Sequence, residues 1–347
     1  MADRPRVRIA VLGAGLIGRE HATRLLAEPG AELAAIVDPA EAGRAFAAER
    51  GVAWFPAWGA IPPAALPDGA IVATPNPFHV EHGLGCIAAG VPVLVEKPLA
   101  EDVAGAERLV AAAEAAGVAL LTGHHRRHNP MITRAREIIA AGRLGRIVAV
   151  QAQCWFYKPE AYFDVGWRRE KGAGPVLLNL IHDIDTLRHL CGEIVAVQAA
   201  DSNAVRGHEV EDTAVMLLRF ASGALGTVGV SDTIVAPWSW ELTTGENPSY
   251  PRTGESCYRI GGTQGSLSIP SLELWHYPGQ RGWWERIERE RVAHPEHDPL
   301  ARQIRQFVAV IRGEEAPLVS GREGLATLRV IAAMKEAATS GRTVRPG

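Results

Sequence analysis

Between Arg6 and Leu121, the short apolar runs RIAVLG, ELAAIVD, GAIVATP, PVLVEKP and ALLTG are separated by alanine-rich stretches long enough for helices. Strands joined by helix-length crossovers lie parallel, and a parallel sheet needs helices over both faces. The alternation therefore predicts an α/β fold, a doubly wound parallel sheet over residues 1–124. After about Gly123 the pattern changes. A helix near Met131–Ala141 leads into the extended run IVAVQAQCWFY, and a second helix covers about Val176–Cys191. The long strands TAVMLLRF, ALGTVGVSD, CYRIGG and GSLSI follow. Residues 125–347 thus read as an α+β domain with an open, mainly antiparallel sheet. Helices over about Pro299–Ile311 and Gly324–Ala338 close the chain and are expected to return to the first domain.

A chain of 347 residues has ample core for about two domains without disulfides or structural metals. Its 36 basic and 39 acidic residues leave a formal charge of -3, which gives no electrostatic case for a nucleic-acid or membrane partner. The start MADRPRVRIAVLG runs straight into a strand without the apolar region of a secretory signal. Cys86, Cys154, Cys191 and Cys257 form no C-x-x-C pair and read as reduced thiols of a cytoplasmic protein. Only Lys97, Lys158, Lys171 and Lys335 are lysine; arginine supplies the other basic residues. A lysine kept at the end of a buried-looking strand invites a chemical reason, because lysine can lose its proton and arginine effectively cannot.

GAGLIG, Gly13 to Gly18, follows the first strand and opens a helix, and Asp38 lies 20 residues after Gly18. Gly13 permits the tight turn, Gly15 lets backbone approach a pyrophosphate, and Gly18 lets helix and strand pack closely. The N–H groups at the helix start, those of Leu16 and Ile17 included, then hold the phosphates. Asp38 in that place accepts hydrogen bonds from the adenosine ribose and repels a 2′-phosphate, which favours NAD. Arg44, close by in sequence, leaves NADP use open. Asp38 also reads as a turn aspartate before Pro39.

The ordered series GAGLIG, ATPNPFHVEH (Ala73–His82) and VLVEKPLA (Val93–Ala100) resembles the Gfo/Idh/MocA oxidoreductases. RRHNP, Trp167–Arg168 and the helix holding His182 extend the resemblance along nearly the whole chain. It implies a Rossmann domain followed by an α/β domain whose open sheet serves in homodimer or homotetramer contacts. It also implies hydride transfer between NAD(P) and a secondary alcohol or ketone of a sugar, inositol or other cyclic polyol. Thr74, Pro75, Asn76 and His79 fall among the cofactor contacts, with Pro75 and Asn76 flanking the nicotinamide ribose. Glu96 and Lys97 carry cofactor and substrate contacts, and His182 matches the active-site histidine facing the substrate. Lys97 and His182 are then the catalytic pair. Some relatives are NAD-dependent glycoside hydrolases and others are non-catalytic regulators, so both readings stay open.

GAGPVLLNLIHDIDTLRHLCG places Asn179, His182, Asp183, Thr186 and His189 on one helical side, with leucines and isoleucines opposite. Without the resemblance it reads equally as an amphipathic helix with a wet face. Many sugar and inositol dehydrogenases of the family carry an aspartate four residues before the histidine. Leu178 stands there instead, so any proton relay through that position is lost. His124 and Arg127 are candidate substrate contacts. The cluster His124, His125 and His128 has no cysteine or carboxylate to complete a metal set, and no metal is expected. Tyr157, Trp167 and Arg168, with Asn179, are candidate substrate contacts able to stack on a ring and bond its hydroxyls.

Overall fold

The computed structural model describes residues 4–295 and 298–347. The chain forms two compact units: residues 4–128 with 298–328, and residues 129–295 with 329–347. The first unit contains strands β1 (Val7–Leu12), β2 (Ala31–Val37), β3 (Ala53–Phe55), β4 (Gly69–Val72), β5 (Val93–Val95) and β6 (Leu120–Thr122). They line up in the order β3-β2-β1-β4-β5-β6, every neighbouring pair parallel. This is the strand order of dinucleotide-binding sheets, and it reverses between β1 and β4, where such sheets take ligands beyond the strands' carboxyl ends. The crossovers carry α1 (Leu16–Ala27), α2 (Glu41–Glu49), α3 (His79–Ala88) and α4 (Val103–Ala116). β1, β4 and β5 are almost continuously buried, as strands covered on both faces must be. Edge strand β3 is absent from the sequence reading because its three residues are too few to show a period.

The second unit begins with α5 (Pro130–Ala140), capped by the Asn129 side chain with proline at the first helical position. There follow β7 (Ile147–Trp155), α6 (Pro175–Leu178), α7 (Leu180–Cys191), β8 (Ile194–Ser202), β9 (Thr213–Phe220) and β10 (Leu225–Ser231). The unit continues with α8 (Trp240–Thr244), β11 (Tyr258–Gly262), β12 (Gly265–Ile269), β13 (Glu273–His276) and β14 (Glu288–Arg291). The eight strands run β14-β13-β12-β11-β7-β10-β9-β8. One neighbouring pair, β7 with β10, is parallel and the others are antiparallel. β9 buries Ala214, Met216, Leu218 and Phe220 and turns Val215, Leu217 and Arg219 outward. Register aligns Leu217 with Thr227 and Gln198, so the outward face is a mixed apolar and amide surface.

The sequence pattern predicts one helix over Val176–Cys191 with a wet side; the structure differs twice. Asn179 breaks it into α6 and α7. The polar side of α7 is also buried, with His182, Asp183, Asp185, Thr186 and Arg188 all shielded. Internal partners replace water. The Tyr258 hydroxyl donates to Asp183, Thr186 Oγ1 donates to the His182 carbonyl at 2.8 Å, and Arg188 pairs with Glu193.

α9 (Pro299–Ile311) and the start of α10 (Gly321–Ser340) belong to the first unit. Asp298 caps α9 by accepting from the N–H groups of Leu300 and Ala301. Ile304, Phe307, Val308 and Val310 enter the core formed by β1, β2 and α1. β4 begins with Gly69, where a Cβ would meet the tip of the Ile311 side chain, which would have to shift. The Val319 carbonyl accepts from the Thr122 N–H at 3.0 Å, covering the free edge of β6. Phe307 is fully buried, so Phe307→Ala should cost about 3–5 kcal/mol, read from denaturant unfolding curves.

Candidate active site

The loop from β1 into α1 has the geometry its glycines require. Gly13 has φ +92°, open to glycine at little cost. A Cβ there would also lie 2.6 Å from the Ala73 carbonyl oxygen. A Cβ on Gly18 would collide with the Gly13 carbonyl. Gly15 differs: no atom lies within 4 Å of its would-be Cβ. It caps α1 with no side-chain hydrogen bond, and Leu16 is 86% exposed. Open space thus faces the first N–H groups of α1, those of Leu16 and Ile17 among them, as an anion-binding helix start requires. The Asp38 carboxylate accepts from the Ala14 N–H at 2.7 Å with one oxygen and the Ala40 N–H at 2.8 Å with the other. Each oxygen keeps a lone pair for a further donor. Asp38 is thereby part of the loop's framework as well as a candidate ribose contact. Arg44 lies 3.8 Å from Glu41 and over the Trp54 ring at 5.5 Å. This donor set fits a dinucleotide.

After β4, Thr74 Oγ1 lies 3.1 Å from His82 Nδ1, and Pro75 leads into a short turn, Asn76–Phe78. His79 is 1% exposed, its Nδ1 and Nε2 each 2.8 Å from a main-chain carbonyl, those of Pro98 and Thr74. The sequence motif predicts a cofactor contact at His79. Both ring nitrogens lie against backbone carbonyls, which makes it a brace between the loops after β4 and β5.

β5 ends on Glu96 and Lys97. Glu96 is buried, with Oε1 2.7 Å from His21 Nε2 on α1 and Oε2 accepting from the Lys97 N–H at 3.1 Å. Burial alone pushes its pKa up. The hydrogen bond and charge of His21, with the charges of His125 and Lys97, outweigh burial and hold the carboxyl at about 2. Lys97 is half-buried, at the carboxyl end of a parallel strand, where open α/β sheets bind ligands. His124 is buried, and Arg127 forms a 2.8 Å ion pair with Glu323. Among the described residues no group of three or more His, Cys, Asp or Glu side chains is arranged to hold a metal.

In the second unit His182 is 9% exposed on α7. Asn179, at the break, has its Oδ1 buried without a hydrogen-bond partner among the described residues. An orphaned acceptor beside a helix start is a position a ligand hydroxyl or water would satisfy. Tyr157 and Trp167 are half-exposed. Arg168 donates to the Tyr162 carbonyl at 2.7 Å and stacks over the Tyr162 ring at 4.0 Å. Tyr157 and Trp167 thus offer ring surface to solvent, whereas Arg168 is largely occupied with its own loop.

Sequence reasoning missed three features. His21 lies one turn into α1 and shows no signal beyond its place three residues after the glycine motif. Glu211 accepts from the Val176 N–H at 3.0 Å at the start of α6, and burial raises its pKa. Lys158 and Arg206 converge on Asp232, at 3.8 and 2.8 Å. Burial lowers the Lys158 pKa and raises that of Asp232.

A glycine-framed helix start, an acidic residue closing β2 and a lysine closing β5 define a dinucleotide-binding α/β protein. Residues 7–124 match the model of the oxidoreductase family with an NAD-binding Rossmann fold, and residues 132–268 match the GFO/IDH/MocA C-terminal domain. The 1,5-anhydro-D-fructose reductase of Ensifer adhaerens is 29% identical over 341 residues, covering 96% of this chain and 97% of that one. Inositol 2-dehydrogenase 2 of Saccharopolyspora erythraea is 30% identical over 291 residues, covering 80% of this chain and 77% of its own. The WlbA dehydrogenase of Bordetella pertussis, crystallised with NADH and UDP-GlcNAcA, superimposes with a TM-score of 0.80 at 26% identity, over 98% of this chain and 99% of that one. The chain belongs to the Gfo/Idh/MocA family and is an NAD-binding oxidoreductase.

The open space at Gly15 yields a clean test. Its φ of −71° suits any residue and a Cβ meets nothing. Gly15→Val should therefore fold with only a small drop in melting temperature, from the poorer cap, while losing at least about tenfold in NADH affinity by fluorescence titration, the branched side chain holding the pyrophosphate off the α1 N–H groups.

Proposed function

We propose that the protein moves hydride between NAD and a secondary alcohol or ketone of a sugar, inositol or other cyclic polyol. The observation that carries this reading is Lys97, braced at the carboxyl end of β5 in the same unit as the open α1 start and Asp38. The names of the relatives support the substrate class. Asp38 supports NAD over NADP, since an anion there repels a 2′-phosphate. Gly13, Gly15, Gly18, Asp38 and the helix-start N–H groups would hold the dinucleotide, whose nicotinamide ring supplies the hydride acceptor. Lys97 polarises the substrate oxygen and stabilises its developing negative charge. His182 takes the hydroxyl proton, histidine being the side chain most often positioned as a general base. With Leu178 at the family's aspartate position, His182 works without a carboxylate from that turn.

The test is NADH appearance on mixing protein and NAD with sugars, inositols and cyclic diols, with NADP alongside. Lys97→Met and His182→Ala should each lose at least about a hundredfold in turnover with NAD affinity retained. Near-normal turnover in both would overturn the assignment. Glycoside cleavage without net NADH would replace it with the hydrolase reading.

The protein is further proposed to be a homodimer or homotetramer joined through the open face of the eight-stranded sheet. Val215, Leu217 and Leu225 are each more than half exposed there, an apolar patch of the kind that marks subunit contacts. Leu217→Asp with Leu225→Asp should reduce the mass in light scattering to that of one chain. Four buried cysteines that form no disulfide support a reducing, cytoplasmic setting, and among the described residues no helix is long and apolar enough to cross a membrane.

A further inference from the structure

Two buried histidines from different helices reach the main chain around Lys97, one through Glu96 and the other at the peptide that follows Pro98. On the amino side stands Glu96. One of its oxygens meets His21 Nε2 from α1 at 2.7 Å, and the other accepts from the Lys97 N–H at 3.1 Å. His21 is fully buried. The space around the carboxylate is closed by the backbone after β6: a Cβ on Gly123 would lie 2.8 Å from both Glu96 oxygens. On the carboxyl side stands Pro98, whose carbonyl oxygen lies 2.8 Å from Nδ1 of His79, the first residue of α3. The other nitrogen of that ring lies 2.8 Å from the Thr74 carbonyl, at the start of the Thr74-Pro75-Asn76 loop.

We propose that His21 and His79 are positioning residues for Lys97, His21 by holding the Glu96 carboxylate and His79 by holding the Pro98 carbonyl. The inference rests on the reading of Lys97 as the group that meets the substrate oxygen. The lysine stem is long and flexible, so where its amine can reach depends on where the stem starts; holding the main chain around Lys97 fixes that starting point and the direction of its Cα–Cβ bond. The Glu96 carboxylate has a second effect. It remains an anion through the neutral range, so it favours the protonated form of the neighbouring lysine. The titratable groups facing this cluster include His21 from α1, His79 from α3, His125 after β6 and Lys97 itself. Because His21 belongs to the helix whose first turn faces the dinucleotide, the brace also links cofactor binding to the lysine.

The chain's four lysines make the test direct. Reductive methylation of the whole protein with isotope-labelled formaldehyde gives one dimethyl-lysine NMR signal for each of Lys97, Lys158, Lys171 and Lys335, and Lys97→Arg identifies its own. Glu96→Gln keeps the shape and the acceptor for His21 but removes the charge. It should lower the Lys97 titration midpoint by about one pH unit or more. His21→Ala and His79→Ala should move the Lys97 signal toward those of Lys171 and Lys335 and remove its shift on NAD addition. His21→Gln and His79→Gln, which retain an amide donor, should restore part of both. Should an alanine variant fail to fold, the isosteric Glu96→Gln and the two glutamine variants decide. A Lys97 signal whose position, midpoint and NAD response do not move in folded variants overturns the proposal. That outcome is separate from failure of the catalytic reading, which would appear as undiminished turnover in Lys97→Met with the Lys97 titration still governed by Glu96.

Discussion

The hydrogen bond from the Ala14 N–H to the Asp38 carboxylate joins the end of β2 to the glycine loop, and much of the first unit follows from it. The loop's path sets where α1 starts and leaves the space at Gly15 open. The start and direction of α1 carry His21 to Glu96, and Glu96 bonds the main chain of Lys97. A single acidic side chain at a strand end thereby bears on the dinucleotide cradle and, through one helix and the His21–Glu96 hydrogen bond, on the lysine. Sharing Asp38 between its own backbone and a ribose is economical, since a carboxylate has about four acceptor positions and the protein occupies two.

The parts of this organisation legible in the sequence are those with local causes. Glycines at fixed offsets answer to one turn, E-K-P marks one strand end, and alternating apolar residues in TAVMLLRF answer to one pleat. What the sequence hid is set by partners far along the chain. His21 and Glu96 are 75 residues apart, and neither has a periodicity that names the other. His79 reads from its motif as a cofactor contact, and the motif does not name the Pro98 carbonyl, 19 residues away, beside its Nδ1. The polar side of α7 reads as wet because side-chain polarity was its only cue. The Tyr258 hydroxyl that satisfies Asp183 arrives from β11. Arg127 reads as a substrate contact and pairs with Glu323, 196 residues later.

The two units stabilise their sheets by different means. The first covers both faces of a parallel sheet with helices, so its chemistry is confined to strand ends and loops. The second leaves an outward face on its large sheet and buries polar groups in pairs. Asp183 with Tyr258 and Arg206 with Asp232 are shielded contacts that favour one arrangement of helix and strands because each group is costly when unpartnered. The candidate substrate contacts of this unit, His182 and Asn179, stand on or beside α7, which the Asp183–Tyr258 contact ties to β11.

The return of α9 and residues 319–328 to the first unit has a consequence for biosynthesis. The chain leaves the nucleotide-binding unit after residue 128 and supplies its remaining parts only from residue 298 onward. Until Phe307 has emerged from the ribosome, part of that unit's core lacks its filling, and until Val319 has emerged, β6 has a bare edge. The domain encoded first is therefore among the last to be completed. Its nascent form must pass through synthesis of the whole second unit with an apolar surface and an open strand edge exposed, the features that draw chaperones and promote aggregation.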